Sequence, residues 1–245
     1  MEDLNIVKGR GIATEYVVNS LFEGANYFYG TKYEKIIKSA INSTKFIELD
    51  ENEKMNDISE LGIPDKYENT KGLHINIIEG QKNVRYIIWK PTNTVVDYHI
   101  IAHELYGHAV CESISTSVWA NNRVYSRNGI ALTDSNGNNR FELINEGLIE
   151  NIAHGIIETK GGIKRVVSNN YEFAEKCGKY LFNMYGKEKM LDIMVKYDYD
   201  LIKYFNLYEK LEKILKKELK TKDKEKIEHK AKKQLKKIKK YVTER

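Results

Sequence analysis

Two short stretches carry residues able to do chemistry. His103-Glu104-Leu105-Tyr106-Gly107-His108 holds two imidazoles with a carboxylate beside the first. Asn145-Glu146-Gly147-Leu148-Ile149-Glu150 supplies further carboxylates a short way downstream. Imidazole nitrogen and carboxylate oxygen are zinc donors, and a catalytic zinc site keeps one position open for water. The metal lowers the pKa of that water toward ~7, which makes hydroxide available at neutral pH. A carboxylate that is not a ligand then serves as general base. Glu104, next to the first imidazole, is placed for that work.

The spacing sets a structural condition. The two histidines stand at i and i+5, not at the i and i+4 of the H-E-x-x-H signature. An ideal α-helix turns about 100° per residue, so an i+5 pair diverges by about 140°. One extra residue looped out as a π-bulge restores the match, and such bulges collect at functional sites. Gly107, immediately before His108, is where the backbone is most permissive. Ile100, Ile101 and Ala102 precede the motif and Ala109 and Val110 follow it, which predicts a buried helix. Histidine and glutamate in such a setting need a partner or a metal.

H-E-x-x-G-H is the motif of the dipeptidyl-peptidase III family of zinc peptidases, and His103 to His108 match it letter for letter. Asn145 to Glu150 resembles that family's E-E-x-x-x-E, with Asn in the first place, and also looks like the third-ligand helix of other gluzincins. The resemblance covers about residues 95–155. It implies a zincin-like gluzincin metallopeptidase that hydrolyses peptide bonds in a peptide or protein substrate, with Zn2+ as its cofactor. His103, His108 and Glu146 would hold the zinc and Glu104 would be the base. The aminopeptidase-like preference of that much larger family is not carried over. The segment from Tyr171-Glu172-Phe173 to Leu181 resembles the post-ligand helices of bacterial gluzincin-like proteins. That makes Tyr171 the first candidate to donate a hydrogen bond to the substrate oxyanion, with Tyr106, Tyr125 and Tyr180 as alternatives.

Other residues compete for these roles. His99 and His103 are a true i, i+4 pair, but pairing them strips Glu104 and Glu146 of their familiar roles, so His99 reads as a helix-start or outer histidine. Glu150 and His154 continue the Glu146 face, where Glu150 could orient a ligand histidine. Glu142 is the fallback third ligand. Cys111 lies within reach but reads as a small apolar packer. Arg123, Arg127 and Arg140 could meet a substrate carboxylate, and read better as solvated surface.

The elements that must position these groups form an α+β, zincin-like pattern. It has a small N-terminal sheet, the metal-binding helix and a mostly helical C-terminal half. Near-helical spacing marks residues 14–42 as two helices broken at Gly30. Residues 73–78 and 84–89 read as strands of a hairpin. Residues 84–89 are a candidate edge strand for an extended substrate, or equally an inner strand. Thr94 or Asp97 caps the His103 helix, expected to run to about residue 115. Residues 129–133 form a short strand, and the Glu146 helix spans from near Phe141 to Gly161-Gly162. The organisation expected is a domain over 1–208, with lobes at about 1–115 and 116–208, and a basic amphipathic helix over 209–245.

Composition narrows the remaining classes. The chain is 41% hydrophobic and 31% charged, an ordinary globular balance. No apolar run spans a membrane and the first residues are not a secretory signal, so cytoplasmic residence is expected, with unconventional export open. Two cysteines provide no disulfide framework. Residues 209–245 hold 16 Lys/Arg and 7 Asp/Glu while the whole chain is +5, so the basic excess sits in the tail. Lysine without interleaved aromatics is a poor nucleic-acid signature. A solvated helix face is expected there, with a weak anionic-surface contact as the functional option and no specific nucleic acid. The rival readings are an inactive zincin-fold binding module and a membrane- or nucleic-acid-associating protein acting through the tail.

Overall fold

The computed structural model describes residues 4–79, 82–113, 117–119, 122–134, 139–160, 172–196, 205–218 and 224–243. It is an α+β fold whose chain divides into two compact units. The first comprises residues 1–110 and 152–166, the second 111–151 and 167–245. No helix among the described residues is long and apolar enough to cross a membrane.

The first unit opens with β1 (Asn5–Lys8), α1 (Ile12–Tyr29), α2 (Glu34–Ser43) and β2 (Thr44–Glu48). The helices part where expected, at Gly30, whose φ of 90° suits glycine. After a run of short 3-10 turns come β3 (Gly72–Glu79) and β4 (Lys82–Trp89). Their pairing is the antiparallel hairpin read from the alternation, with Glu79 opposite Lys82; residues 80 and 81 of its connection lie outside the described residues.

The described strands of this unit form a mixed sheet in the order β1-β2-β4-β3. β2 runs parallel to both β1 and β4. β4 is therefore an inner strand, and the free edge on this side belongs to β3. This corrects the edge-strand role offered to residues 84–89. β1 and β2 have no counterpart in the sequence reading. β1 is mostly exposed and lacks apolar alternation, and β2 follows α2 directly and ends on a buried Glu48.

That carboxylate explains itself by what it holds. Glu48 accepts from the Gly11 and Thr14 N–H groups and from the Thr14 hydroxyl, at 2.7–2.8 Å, and so caps the N-terminus of α1. Negative charge is favourable there. Trp89 donates its indole N–H to the same Thr14 hydroxyl, which ties β4 to α1. Along β2 and β4 the side chains alternate between faces. Ile47, Tyr86 and Ile88 pack with Met55, Ile58 and Ile63 on one face. Phe46, Ile87 and Trp89 are fully buried on the other.

α3 (Val95–Ile101) follows, capped by the Thr94 hydroxyl as expected and braced by Asp97, which accepts from the Thr92 and Asn93 N–H groups. It runs without a break into a π-helix over Ala102–Ala109.

The second unit begins with short antiparallel strands: β5 (Glu112–Ser113), β6 (Ser117–Trp119), β7 (Asn122–Asn128), β8 (Ala131–Asp134) and β9 (Asn139–Arg140). β7 pairs with β5, β6 and β8, and β8 with β9. The strand expected at 129–133 is thus shifted, because Gly129, at φ 55°, makes the turn. The His103 helix stops short of residue 115, because Cys111 accepts from the Gly129 N–H and the chain enters β5.

α4 (Glu142–Lys160) then spans both units, the division falling between Asn151 and Ile152. α5 (Glu172–Tyr185), α6 (Lys187–Leu191, continued as a π-turn to Lys196), α7 (Phe205–Glu218) and α8 (Lys224–Thr243) complete the chain. α7 and α8 pack on one another, with Leu211, Leu215, Ile227, Ala231, Leu235 and Ile238 buried as the apolar side of the amphipathic tail.

Candidate metal centre

The π-helix answers the spacing problem directly. Its i→i+5 bonding sets residues five apart on one face. Val110 N–H donates to the Leu105 carbonyl at 3.1 Å, five residues back. In an α-helix it would meet the Tyr106 carbonyl instead. The Tyr29 hydroxyl, from α1, donates to that Tyr106 oxygen. The Tyr106 ring is fully buried and its hydroxyl donates to the Val18 carbonyl of α1 at 2.8 Å. Burial pushes the Tyr106 phenol pKa well up, so it remains a neutral donor. The wide turn is therefore pinned to α1 at two points. Tyr106 is committed to this packing and is not a group that meets substrate.

With the helix wound this way, Nε2 of His103 lies 3.1 Å from Nε2 of His108. Ring centroids are 4.8 Å apart and the planes 66° from parallel. Zn–N bonds of about 2.0–2.1 Å at a tetrahedral angle separate two ligand nitrogens by about 3.3 Å. The pair thus has the spacing of two imidazoles turned to one cation. One neutral ring can also donate to the other across the same gap. Two overlapping groups could hold a metal ion, their ligand atoms lying within 4.8 Å of one another: the partly exposed set His103, Glu104 and His108, and the buried set His99, His103 and Glu150, which draws in the His99 expected to stand outside the centre.

Glu104 is held from a direction the sequence did not reveal. Its Oε2 accepts from the backbone N–H of His74 at 2.9 Å. That N–H belongs to β3, on the side facing away from β4. The strand passes close: a Cβ on Gly72 would lie 2.4 Å from Ile100 Cγ2 and 3.3 Å from Glu104 Cγ. The His74 ring lies parallel to His108, at 6.0 Å and 7°. His74 gives no spacing signal, since it is only one polar residue in the alternation of a strand; the fold alone brings it here. His99 and His154 are also near, with centroids 5.2 Å apart, and His99 stands 6.1 Å from His103. Five of the six histidines in the chain thus belong to the first unit.

The other predicted residues have separate settings. Glu146 is half-buried on α4, between two residues anchored in the second unit. Asn145 accepts from the Ile130 N–H at 3.0 Å and so fastens the β7–β8 turn to α4. Gly147 lets α5 approach: a Cβ there would lie 2.0 Å from the Ala174 carbonyl oxygen. The Asn and Gly of N-E-G-x-x-E are accordingly packing residues around the glutamate. Glu150 is buried one turn before His154, and Glu142 is exposed at the start of the helix. Tyr171 lies outside the described residues, as do the side chains of Tyr125 and Arg123. Tyr180 is half-buried on α5. Arg127, expected on solvated surface, instead donates to the Gly129 carbonyl at 2.8 Å and the Ile193 carbonyl at 3.2 Å. Arg140 stands 3.6 Å from Glu209. Cys111 is buried, as expected of a packing residue.

Comparison with protein-family models, curated proteins and solved structures returns no match to this chain.

Proposed function

We propose that this protein is a zinc-dependent peptide hydrolase of the gluzincin kind. His103 and His108 hold the metal, Glu146 of α4 is the third ligand, and Glu104 is the general base. The observation that carries the reading is the Nε2 pair, 3.1 Å apart on a π-helix, with the Glu104 carboxylate beside it. An i+5 pair has no reason to converge in a regular helix, and the wide turn that makes it converge is supported by two tyrosine hydroxyls.

Zinc, when bound, supplies Lewis acidity to water and to the scissile carbonyl. The residues of the chain do the rest. The His74 N–H holds Oε2 of Glu104 and so directs the carboxylate, leaving Oε1 for the attacking water. Glu104 takes a proton from that water as its oxygen bonds to the carbonyl carbon. It then passes the proton to the amide nitrogen as the C–N bond breaks, so the carboxylate is regenerated. General-base removal costs about 10²–10⁴ in rate.

The test is metal content by elemental analysis with a peptide-hydrolysis screen. Wild type is expected to hold about one tightly bound zinc per chain, lost in His108→Ala and in Glu146→Ala. Glu104→Gln is expected to keep the zinc and lose hydrolysis. Hydrolysis unchanged in Glu104→Gln sinks the mechanism, and zinc retained in Glu146→Ala transfers the third-ligand role to Glu142 or Glu150.

A further inference from the structure

The two groups able to hold an ion overlap at one residue, His103. His99, His103 and Glu150 offer two imidazoles and a carboxylate, the same donor set as His103, His108 and Glu146. Their ligand atoms all lie within 4.8 Å of one another. Ligand atoms on one tetrahedral zinc stand about 3.3 Å apart, so modest side-chain rotation closes the three on an ion. His99 and His103 are one turn apart where α3 runs into the π-helix, and Glu146 and Glu150 are one turn apart on α4. A step of one turn along each helix therefore converts one set into the other. What changes is access. His99, His103 and Glu150 are only 8%, 9% and 3% exposed, whereas Glu104 and His108 are half-buried. A closed zinc site is structural, and a catalytic one keeps a position for water.

We infer that the metal has a second, closed position on His99, His103 and Glu150, which excludes the open position on His103 and His108 and holds the ion in an inactive state. The inference rests on the function proposed above for the open position. Exclusion follows from the shared ring. A neutral imidazole has one nitrogen with a lone pair to give and one that carries hydrogen, so His103 ligates a single ion at a time. In the closed position the ion has shed its water. Glu104, held by the His74 N–H, then has no metal-bound nucleophile to deprotonate. Surrender of the hydration shell on burial makes this the weaker of the two positions.

The experiment is a zinc titration of the full chain against a chromophoric chelator, with 15N-histidine NMR of the same samples. Wild type is expected to take one tight equivalent and no second through His99. His108→Ala should lose the tight equivalent and take a weaker one that moves the ring signals of His99 and His103. Glu150→Gln should keep the tight equivalent, and in the His108→Ala background it should remove the weaker one. A His108→Ala chain that takes no zinc, or takes it with the His99 ring unmoved, overturns the closed position and leaves the open one. Two equivalents in wild type, the second moving the His99 ring, overturn the exclusion. Zinc that is indifferent to His108→Ala and lost in Glu150→Gln overturns the proposed catalytic centre and leaves His99, His103 and Glu150 as the metal site. Should Glu150→Gln unfold, the His108→Ala spectra decide alone.

Discussion

At the scale of single residues, the candidate base depends on a neighbour with no side chain. Gly72 lets β3 run against Ile100 and Glu104, which brings the His74 N–H within 2.9 Å of the carboxylate. Gly72→Ala would place a methyl 2.4 Å from Ile100 Cγ2, so strand or helix must shift. Overpacking of this kind costs about 1–3 kcal/mol. The expected outcome in urea melts is a loss of that size. Peptide hydrolysis should fall by more than metal content, because the base is displaced and the histidines are not. A variant with wild-type hydrolysis per bound metal would mean that the β3 contact does not set the Glu104 position. The two motifs were readable as residues, since His103, Glu104 and His108 announce themselves by type. His74 and Gly72 do not, because their part is played by backbone.

At the scale of elements, the deciding feature is the π-helix over Ala102–Ala109. The i+5 spacing predicts a bulge, but it does not say what stabilises one. A wider turn gives up favourable α-helical geometry, and runs of it are rare. Here the Tyr106 carbonyl, passed over by the Val110 N–H, takes a donor from Tyr29 on α1. Tyr29→Phe removes that donor without touching any ligand. A buried acceptor left unsatisfied costs about 1–3 kcal/mol. We expect zinc affinity to fall about tenfold, as a population shift of about 1.4 kcal/mol toward an α-helical register would give. The check is metal competition alongside denaturant melts. Lowered stability with unchanged zinc affinity would show that the wide turn holds without the Tyr29 bond.

At the scale of the whole molecule, the basic tail is structural on one side and exposed on the other. Leu211, Leu215, Ile227, Ala231, Leu235 and Ile238 are buried, whereas Lys232, Lys233, Lys236, Lys237 and Lys240 are exposed. Glu212, also buried, accepts from the Leu143 and Ile144 N–H groups at 3.1 Å and so caps the N-terminus of α4. Negative charge at that end of a helix contributes up to about 2 kcal/mol when partly buried. Removal of residues 209–245 is therefore expected to destabilise the second unit and the start of the Glu146 helix. Changing those five lysines to glutamine is expected to leave stability within about 0.5 kcal/mol. Thermal melts of the two variants make the comparison. A truncated chain as stable as wild type would mean that the tail does not support α4. Binding to anionic vesicles that the lysine variant loses would assign the exposed face a partner.

What the sequence determined by itself was chemistry and periodicity. The donor set, the need for a widened turn between His103 and His108, the break at Gly30, the β3–β4 hairpin and the tail stripe all follow from residue type and spacing within one element. The tertiary structure decided whatever depends on distant partners. It made β4 an inner strand, because β2, unmarked by alternation, inserts parallel to it. It used the buried Glu48 and Glu212 as helix caps, and it brought His74, His99 and His154 toward the motif. A side chain's type fixes what it can bind, but which backbone N–H or second imidazole reaches it depends on how non-neighbouring elements pack, and no local pattern in the chain encodes that.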